Sequence, residues 1–306
     1  MILRNLRPDE LNEWAALCAE NFPDPPAYFL RHYQNDPFAD LAGVFVAEEG
    51  GALAASVRVF AREIYVRGRR VGLGGIGEVC TKAEFRGRGL SGALLQRAVA
   101  YMVARDMPLS LLFTDQYRHY GRHGWFQAPS RLARVPLEGL ALPAGCRLRP
   151  LTEADWPAAR GLHGLFAGRL DGLIVRDHPR YWDQWVLSEV QNPLGLFNAE
   201  GEMRLWLDAV CEEETVKLRE VSLFPGAEAL LLPALAAVPA ALAPSSAACR
   251  ATLPAALVPG AADTFCVDGA MLRLNAPFTL DGQVIATPEA LKALLPEINF
   301  WMTDGF

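Results

Sequence analysis

Residues 79–92 combine the end of a strand, a glycine-rich turn and the start of a helix. An apolar run ends at Thr81, the turn Arg86-Gly87-Arg88-Gly89 follows, and a helical pattern begins at Leu90. The first turn of a helix leaves backbone N–H groups unpaired and carries a partial positive charge, so it binds anions, phosphates above all. The glycines would let the backbone approach such an anion, and the arginines would add charge-assisted hydrogen bonds. The alternative is an ordinary strand-to-helix turn with basic residues on its solvated rim.

The surrounding pattern predicts a mixed layer of helices and strands. Two amphipathic helices come first, and strand-like runs with turns near residues 48–51 and 67–70 follow. Beyond the glycine turn we predict a helix at 90–105, a strand at 109–113, a short helix at 117–123 and a strand at 131–135. This order gives hairpins followed by a single strand–helix–strand crossover.

Glycines crowd the strand that leads into the turn, at Gly72, Gly74, Gly75 and Gly77. Glycine weakens the interior of a strand, and it often marks a bulge or a close approach of a ligand or of another backbone. We therefore expect one of these features next to the candidate anion site.

The second half of the chain repeats the first. Leu6-Arg7-Pro8, Trp14 and Glu78-Val79 all recur 142 residues later, in the same order of elements. The sequence therefore predicts a first domain over residues 1–142 and a second over residues 146–306. The second copy lacks the basic glycine turn, so only the first half is expected to hold an anion.

Composition limits the function classes. The formal net charge of −6 argues against general binding of nucleic acid or of anionic membranes. The longest apolar stretch contains two prolines and is too short to span a bilayer. The six cysteines are scattered without a C-x-x-C pair, which favours neither a metal site nor disulfides. We expect a cytoplasmic protein without metal, nucleic-acid or membrane partners, and a homo-oligomer remains an open alternative.

Two motifs resemble those of the GNAT superfamily of N-acetyltransferases. Arg86-x-x-Gly89-x-Ser91 resembles the Q/R-x-x-G-x-G/A acyl-CoA signature, with Ser in the last place. The segment 120–125, Tyr-Gly-Arg-His-Gly-Trp, resembles the Y-x-x-x-G-F element, with Trp in place of Phe. The duplicated layout is similar to the tandem acetyltransferases of the enhanced-intracellular-survival type. The resemblance implies an α/β (α+β) fold of two tandem acyl-CoA N-acyltransferase (GNAT) domains, each a mixed, mostly antiparallel sheet flanked by helices.

The resemblance also implies acetyl-CoA as co-substrate and a role for each part of the turn. Main-chain groups of Val79, Cys80 and Thr81 would pair with the pantetheine arm. Tyr120 would donate a proton to the departing CoA thiolate, as a phenol with an ordinary pKa near ~10 can at neutral pH. The alternative for Tyr120 is a core residue. The pyrophosphate would be held by Arg86, Gly87, Arg88, Gly89, Leu90, Ser91 and Gly92.

The general base has several candidates. Glu78 lies on the strand that should hold the thioester, although Glu220 occupies the matching place in the copy without the turn. In the survival-type enzymes the C-terminal carboxylate takes this role, which here points to Phe306; the alternative is a tail that packs against the second domain. His119, His123 or a chain of water molecules could relay the proton instead.

A cluster of arginines at positions 58, 62, 67, 69 and 70 is expected on the solvated face and turn of a hairpin. The resemblance to the GNAT superfamily implies an N-acetyltransferase that transfers the acetyl group of acetyl-CoA to a primary amine of a small molecule or peptide by direct attack. The alternatives are a non-catalytic acyl-CoA-binding regulatory protein and a tandem aminoacyl or acyl transferase, which would need a basic surface for an RNA donor.

Overall fold

The structure is a computed structural model that describes residues 1–242 and 248–306. Within these residues it contains two seven-stranded sheets flanked by helices, together with a small two-stranded hairpin. The strand pairs are antiparallel apart from one parallel pair in each large sheet. The predicted fold class, mixed and mostly antiparallel sheets flanked by helices, is confirmed.

The first half begins with a short strand, which the sequence pattern does not predict, and the two predicted helices follow it. Its strands are β1 (Ile2–Asn5), β2 (Val44–Glu49), β3 (Ala52–Val66), β4 (Arg69–Thr81), β5 (Leu109–Phe113), β6 (Phe126–Gln127) and β7 (Ser130–Pro136). Its helices are α1 (Leu11–Ala19), α2 (Pro26–Asn35), α3 (Leu90–Ala104) and α4 (Tyr117–Gly121).

The second half follows the same plan and then adds a hairpin and a terminal helix. Its strands are β8 (Arg147–Pro150), β9 (Pro193–Phe197), β10 (Met203–Glu212), β11 (Thr215–Leu223), β12 (Arg250–Pro254), β13 (Asp263–Val267), β14 (Ala270–Leu274), β15 (Phe278–Leu280) and β16 (Gln283–Ile285). Its helices are α5 (Trp156–Phe166), α6 (Leu187–Glu189), α7 (Leu231–Leu242) and α8 (Pro288–Leu294), and a π-helical turn, Tyr181–Val186, precedes α6.

The two halves exchange strands. The first sheet has the order β1-β2-β3-β4-β5-β14-β6, and the second has the matching order β8-β9-β10-β11-β12-β7-β13. Each half therefore gives one strand to the sixth place of the other half's sheet. The matching order is what a repeat requires. The division at residues 142 and 146 remains a prediction about the chain, because neither sheet is built from one half.

Local turn chemistry explains the hairpins. Gly50 and Gly51 connect β2 to β3, and Arg67 and Gly68 connect β3 to β4, all with positive φ. Such backbone conformations match the twist of two-residue hairpins, and they favour glycine. The sequence pattern predicts two separate runs that end at Phe60 and begin again at Ile64. In the structure they form the single strand β3.

The far end of β3 joins the two halves. The Tyr65 N–H donates to the Leu173 carbonyl at 2.9 Å, and the Gly172 N–H donates to the Tyr65 carbonyl at 2.8 Å. A core cluster that contains Phe60 from the first half and Trp185 from the second lies beside this junction. The halves are therefore packed as one body around β3.

Across the described residues, none of the helices combines the length and apolar character needed to cross a bilayer.

Candidate active site

The candidate site lies where β4 and β5 separate. The two strands run parallel and pair only over residues 73–75 and 109–111, whereas β4 continues to Thr81. On its other side β4 stays paired with β3 as far as Thr81. Beyond Gly75, β4 therefore presents one backbone edge to a cleft, and the polar groups of that edge need partners from outside the sheet.

A β-bulge lies in this part of β4. The register between β3 and β4 shifts there, so that Glu78 and Val79 together lie opposite Val57. Glu78 has a φ of +51°, which is uncommon for a residue with a side chain. Bulges redirect side chains and increase the local twist. The glycine-crowded strand thus contains the bulge that its sequence indicates.

The glycine turn requires its glycines for backbone conformation rather than for space. Gly87 and Gly89 both have a φ of +76°. A Cβ atom built on either residue would have no neighbour within 4 Å. Gly89 is the residue immediately before α3, so the turn positions the unpaired N–H groups of that helix next to the cleft.

The two arginines of the turn bind protein groups. The Arg86 guanidinium donates to the Thr81 carbonyl at 3.1 Å and to the Asn21 side-chain oxygen at 2.9 Å. Arg88 donates to the Glu84 carbonyl at 3.3 Å. The hydrogen bonds of both side chains therefore stabilise the conformation of the turn. Arg86 also lines a cavity described below.

The first residues of α3 have three different surroundings. Leu90 is buried in the core. The Ser91 hydroxyl lies 3.4 Å from Nε2 of His119. A Cβ atom on Gly92 would approach the His123 ring to 2.8 Å, so glycine at this position allows the ring to pack against the helix.

Two cavities meet at the free edge of β4. The first, which we call the loop cavity, has a volume of about 530 Å³, and the second, the carboxylate cavity, has a volume of about 520 Å³. Val79 and Tyr120 line both. The loop cavity is also lined by Asn21, Phe22, Cys80, Thr81, Arg86, Ser91, Gln116 and His119. The walls of the carboxylate cavity include Tyr28, His32, Ile76, Gly77, Glu78, Phe113, Asp115 and Phe306.

The structure thus brings together many of the predicted site residues. Val79, Cys80, Thr81, Arg86, Ser91 and Tyr120 line the loop cavity, and Glu78, Val79, Tyr120 and Phe306 line the carboxylate cavity. Gly87, Arg88, Gly89, Leu90 and Gly92 belong to the adjoining turn and helix and do not line either of these cavities.

Tyr120 is positioned by α4 and packs edge-on against the Trp125 ring at 6.2 Å. Burial, with a smaller contribution from Cys80, raises the pKa of Tyr120 to about 12. The phenol therefore keeps its proton at neutral pH and is available as a proton donor in the cleft. Burial, reinforced by nearby positive side chains, lowers the pKa of the neighbouring His119 and His123.

Glu78 has one carboxylate oxygen bound and one free. Its Oε1 accepts a hydrogen bond from Arg58 at 3.3 Å and lies 3.8 Å from Nδ1 of His32. Its Oε2 is buried, and within residues 1–242 and 248–306 no group donates a hydrogen bond to it. A buried oxygen without a donor carries a desolvation cost, which a hydrogen bond from a ligand N–H would relieve.

The prediction that the arginine cluster is exposed to solvent is wrong for two of its residues. Arg58 and Arg62 are buried, and they bind the carboxylate of Asp36 at 2.9 and 3.0 Å. Burial alone would raise the pKa of Asp36, but the guanidinium groups of Arg62 and Arg58 outweigh it and hold that pKa below its usual value. The sequence missed this network because Asp36 lies beyond α2, far from the hairpin in the chain.

Glu220, the counterpart of Glu78, has a different environment. Arg176 donates to both of its oxygens, at 2.6 and 2.8 Å, and Thr303 also hydrogen-bonds to it. Arg176 also binds Asp304 at 2.8 Å, and all four side chains are buried. Glu220 therefore anchors the C-terminal segment and has no oxygen left for a ligand.

The anchored segment ends in the carboxylate cavity. The Phe306 ring stacks on Phe60 at 5.5 Å and contacts Phe113 at 5.9 Å. A Cβ atom on Gly75 would come within 2.6 Å of this ring, and one on Gly77 would come within 3.2 Å of the main-chain carbon of Phe306. Two of the strand glycines thus make room for Phe306, Gly75 for its ring and Gly77 for its main chain.

The described residues contain no group of His, Cys, Asp and Glu side chains suited to hold a metal ion.

The sequence of the first half matches a known family. Residues 3–128 match the acetyltransferase (GNAT) domain. The chain is also 29% identical, over 197 residues, to an uncharacterised N-acetyltransferase of Streptomyces griseus. That alignment covers 60% of this chain and 46% of the relative, so the chain spans about half the length of the curated relative that it matches.

Solved structures show the same fold along most of the chain. A probable N-acyltransferase from Enterococcus faecalis V583 superposes with a TM-score of 0.70 at 17% identity, covering 91% of this chain and 75% of its own. Eis1 from Mycobacterium abscessus superposes with a TM-score of 0.62 at 15% identity, covering 90% and 73%. These similarities to solved structures concern the fold.

Sequence reasoning missed one residue of the candidate site, His32, which lines the carboxylate cavity. Its ring is buried, stacks on Tyr28 and lies 4.3 Å from the Trp185 ring. Trp185 comes from the π-helical turn of the second half. The sequence holds no local signal for His32, because its proximity to Glu78 depends on how α2 and the second half pack against β4.

Proposed function

We propose that this protein is an N-acetyltransferase that transfers the acetyl group of acetyl-CoA to a primary amine. One observation carries the proposal. Two cavities meet at the free edge of β4, with Tyr120 in their common wall and Glu78 in the wall of the carboxylate cavity. Two substrates that react with each other need two such compartments that meet at the groups able to move protons.

The loop cavity is the proposed donor site. The free edge at Val79, Cys80 and Thr81 offers backbone groups to the pantetheine arm, in the manner of an added strand. The positive-φ glycines and the start of α3 suit a pyrophosphate, because both present backbone N–H groups to an anion. The proposed cradle comprises residues 86–92, with Arg86 in the cavity wall.

The carboxylate cavity is the proposed acceptor site. The amine nitrogen, once deprotonated, attacks the thioester carbonyl carbon and forms the C–N bond. Backbone N–H groups at the bulge would stabilise the oxyanion that develops. The C–S bond then breaks, and Tyr120 gives its proton to the CoA sulfur as it leaves. No covalent intermediate with the enzyme is needed.

Two groups are proposed for the removal of the amine proton. Glu78 lines the carboxylate cavity and has one buried oxygen without a donor among the described residues, and His32 lies beside its other oxygen. The main-chain carboxylate of Phe306 is the second candidate, because the main-chain carbon of this residue lies next to Gly77. In either case the proton passes to the carboxylate, directly or through water.

We assign the second half a supporting role. Its counterpart glutamate, Glu220, is fully engaged by Arg176 and the C-terminal segment, and its sequence lacks the glycine turn. We therefore propose that residues 146–306 form a degenerate copy that buttresses the first domain, and that the protein works in the cytoplasm.

The test is a screen of primary amines, with acetyl-CoA as donor and release of the CoA thiol as readout. The panel covers aliphatic amines, amino sugars and peptides with free N-termini, and product masses identify the acetylated nitrogen. We expect thiol release that depends on at least one amine class. Calorimetric binding of CoA without thiol release from any class would instead identify a non-catalytic acyl-CoA-binding protein.

A further inference from the structure

A third cavity lies on the other side of the C-terminal segment. It has a volume of about 450 Å³ and is lined mainly by apolar side chains, and we call it the apolar cavity. Its apolar walls include Phe113, Leu132, Leu218, Val267, Phe300 and Met302. This volume is within the range of small-molecule sites.

The apolar cavity is the second half's counterpart of the carboxylate cavity. β11 and β12 pair in parallel over residues 215–217 and 250–252, and β11 then continues beyond its partner. Leu218 and Arg219, which line the cavity, follow Ile76 and Gly77 at the 142-residue offset of the repeat. The second sheet thus opens at the same place as the first, and the C-terminal segment leaves part of that opening unfilled.

Three of its apolar side chains are unusually exposed. Phe113 is 43% exposed, Val267 is 41% exposed and Met302 is 63% exposed. They come from β5, from β13 and from the C-terminal segment, and they converge on one cavity. Clustered apolar exposure in a concave site is typical of a surface that a ligand covers.

The charged residues of the apolar cavity do not favour a ligand with an anionic group. The Arg219 guanidinium is bound to Asp208 at 2.8 Å and to the Glu189 carbonyl at 3.2 Å. Asp268 adds a carboxylate to the wall. The cavity therefore suits the apolar part of a neutral or cationic molecule.

The apolar cavity adjoins the carboxylate cavity. Phe113 lines both, Gly305 lines the apolar cavity, and the next residue, Phe306, lines the carboxylate cavity. A molecule with its nitrogen near Val79 would reach the apolar cavity by passing Phe113. We propose that the acceptors of this enzyme are amines with an apolar chain or ring, and that this apolar part binds in the apolar cavity. This inference rests on the proposed function, because it assigns the amine to the carboxylate cavity.

The test uses unbranched alkylamines from ethylamine to hexylamine, with calorimetric binding to the full chain in the presence of CoA as the readout. Each added methylene should raise the affinity roughly fourfold, so hexylamine should bind on the order of 100-fold more tightly than ethylamine. Val267→Trp fills the apolar cavity and should reduce this ratio to less than about tenfold. Val284→Trp is the matched control, because Val284 is 63% exposed on β16 and lines none of the three cavities.

The outcomes separate the inference from the proposed function. An affinity that does not rise with chain length overturns the inference. An increase in affinity with chain length that persists in Val267→Trp also overturns the inference, because the apolar walls of the carboxylate cavity would then account for the increase. Thiol release from acetyl-CoA, measured with the same amines, tests the proposed function separately. Binding that depends on chain length and on Val267, but without thiol release, would support the cavity and remove the transferase proposal.

Discussion

Tyr120 and Glu78 both line the carboxylate cavity, but the fold controls their protons in different ways. Burial raises the pKa of Tyr120 to about 12 and so keeps its phenol protonated. Glu78 has one oxygen bound to Arg58 and one that is buried without a donor among the described residues. A proton donor and a candidate proton acceptor therefore line the same space, which acyl transfer to an amine requires.

Replacement of Tyr120 by Phe should lower kcat more than about tenfold and leave the affinity for CoA nearly unchanged, since the ring and its packing remain. In the wild-type protein the raised pKa keeps the donor protonated, so we expect no loss of kcat from this group between about pH 7 and pH 10. Steady-state kinetics over this range and calorimetry with CoA test both statements. A near-wild-type rate for the variant would remove Tyr120 from the mechanism.

The two base candidates can be separated by a pair of variants. Glu78→Gln removes the carboxylate and keeps the shape, and one alanine added after Phe306 displaces the terminal carboxylate. If Glu78 is the base, only the first change should lower kcat, by roughly 100-fold or more. Glu84→Gln, in the exposed segment before the glycine turn, is the control. Mass spectrometry of the purified protein must show that its chain ends at Phe306. If both variants keep full activity, neither carboxylate is the base.

At the residue scale, the short local motifs of the sequence suffice to select Glu78, Tyr120 and the residues of the turn as candidates, and their roles remain predictions. The prediction from the sequence was wrong for Arg58 and Arg62, whose side chains were expected to be exposed to solvent. Their burial depends on Asp36 and on aromatic rings of the second half, such as Tyr181, which lies 5.3 Å from the Arg62 guanidinium carbon. Such partners are distant in the chain and leave no periodic pattern.

At the scale of elements, the glycine turn needs glycine because of its backbone conformation, since no neighbouring atom would clash with a side chain there. Gly89 adopts a φ of +76° with open space around its Cα. A substitution there changes the backbone preference and the access of a ligand, but it creates no clash with the protein. Its effect on binding can therefore be compared with that of a glycine of the same conformation elsewhere.

Gly89→Ala should weaken CoA binding at least about tenfold, because the methyl group and the strained φ disturb the backbone that faces the phosphates. Gly139→Ala is the matched control, since Gly139 has a φ of +75° and also has no neighbour within 4 Å. Both variants should lose about 1 kcal/mol of unfolding free energy. Calorimetry and denaturant unfolding measure the two effects. Equal CoA affinity in the two variants would contradict the proposed cradle.

Most elements of the first half were predictable from periodicity and turn residues, including the strand at 109–113, which is confirmed without change. The break predicted between Phe60 and Ile64 is wrong. Polar residues such as Arg62 interrupt the apolar pattern there, although a buried ion pair with Asp36 compensates the charge. Binary patterning cannot distinguish a solvated charge from a paired one.

At the scale of the whole molecule, the exchange of β7 and β14 makes each sheet depend on both halves. β14 lies between β5 and β6, and β7 lies between β12 and β13. The repeat in the sequence predicts two similar units, but it cannot show which copy of a strand enters which sheet. The two strands have equivalent places, and the choice depends on the path of the connecting segments.

A fragment of residues 1–142 should therefore not fold on its own. Without β14 the edge of β5 is unpaired, and apolar residues such as Leu111 and Leu112 lose their cover. Circular dichroism and hydrogen exchange should show a poorly protected or aggregated fragment, and co-expression with residues 143–306 should restore CoA binding. A stable, monomeric fragment that binds CoA would show that the exchanged strand is dispensable.

The exchange also has a consequence for synthesis. A ribosome releases the chain from its N-terminus, so α1 to α4 and the strands around them emerge long before β14 does. The first half must then wait with an open sheet edge until β14 has been translated. During this interval the edge is available to other nascent chains. The first sheet is therefore completed only after β14 has emerged, and the yield of the folded protein in cells should rise with chaperones that hold nascent chains.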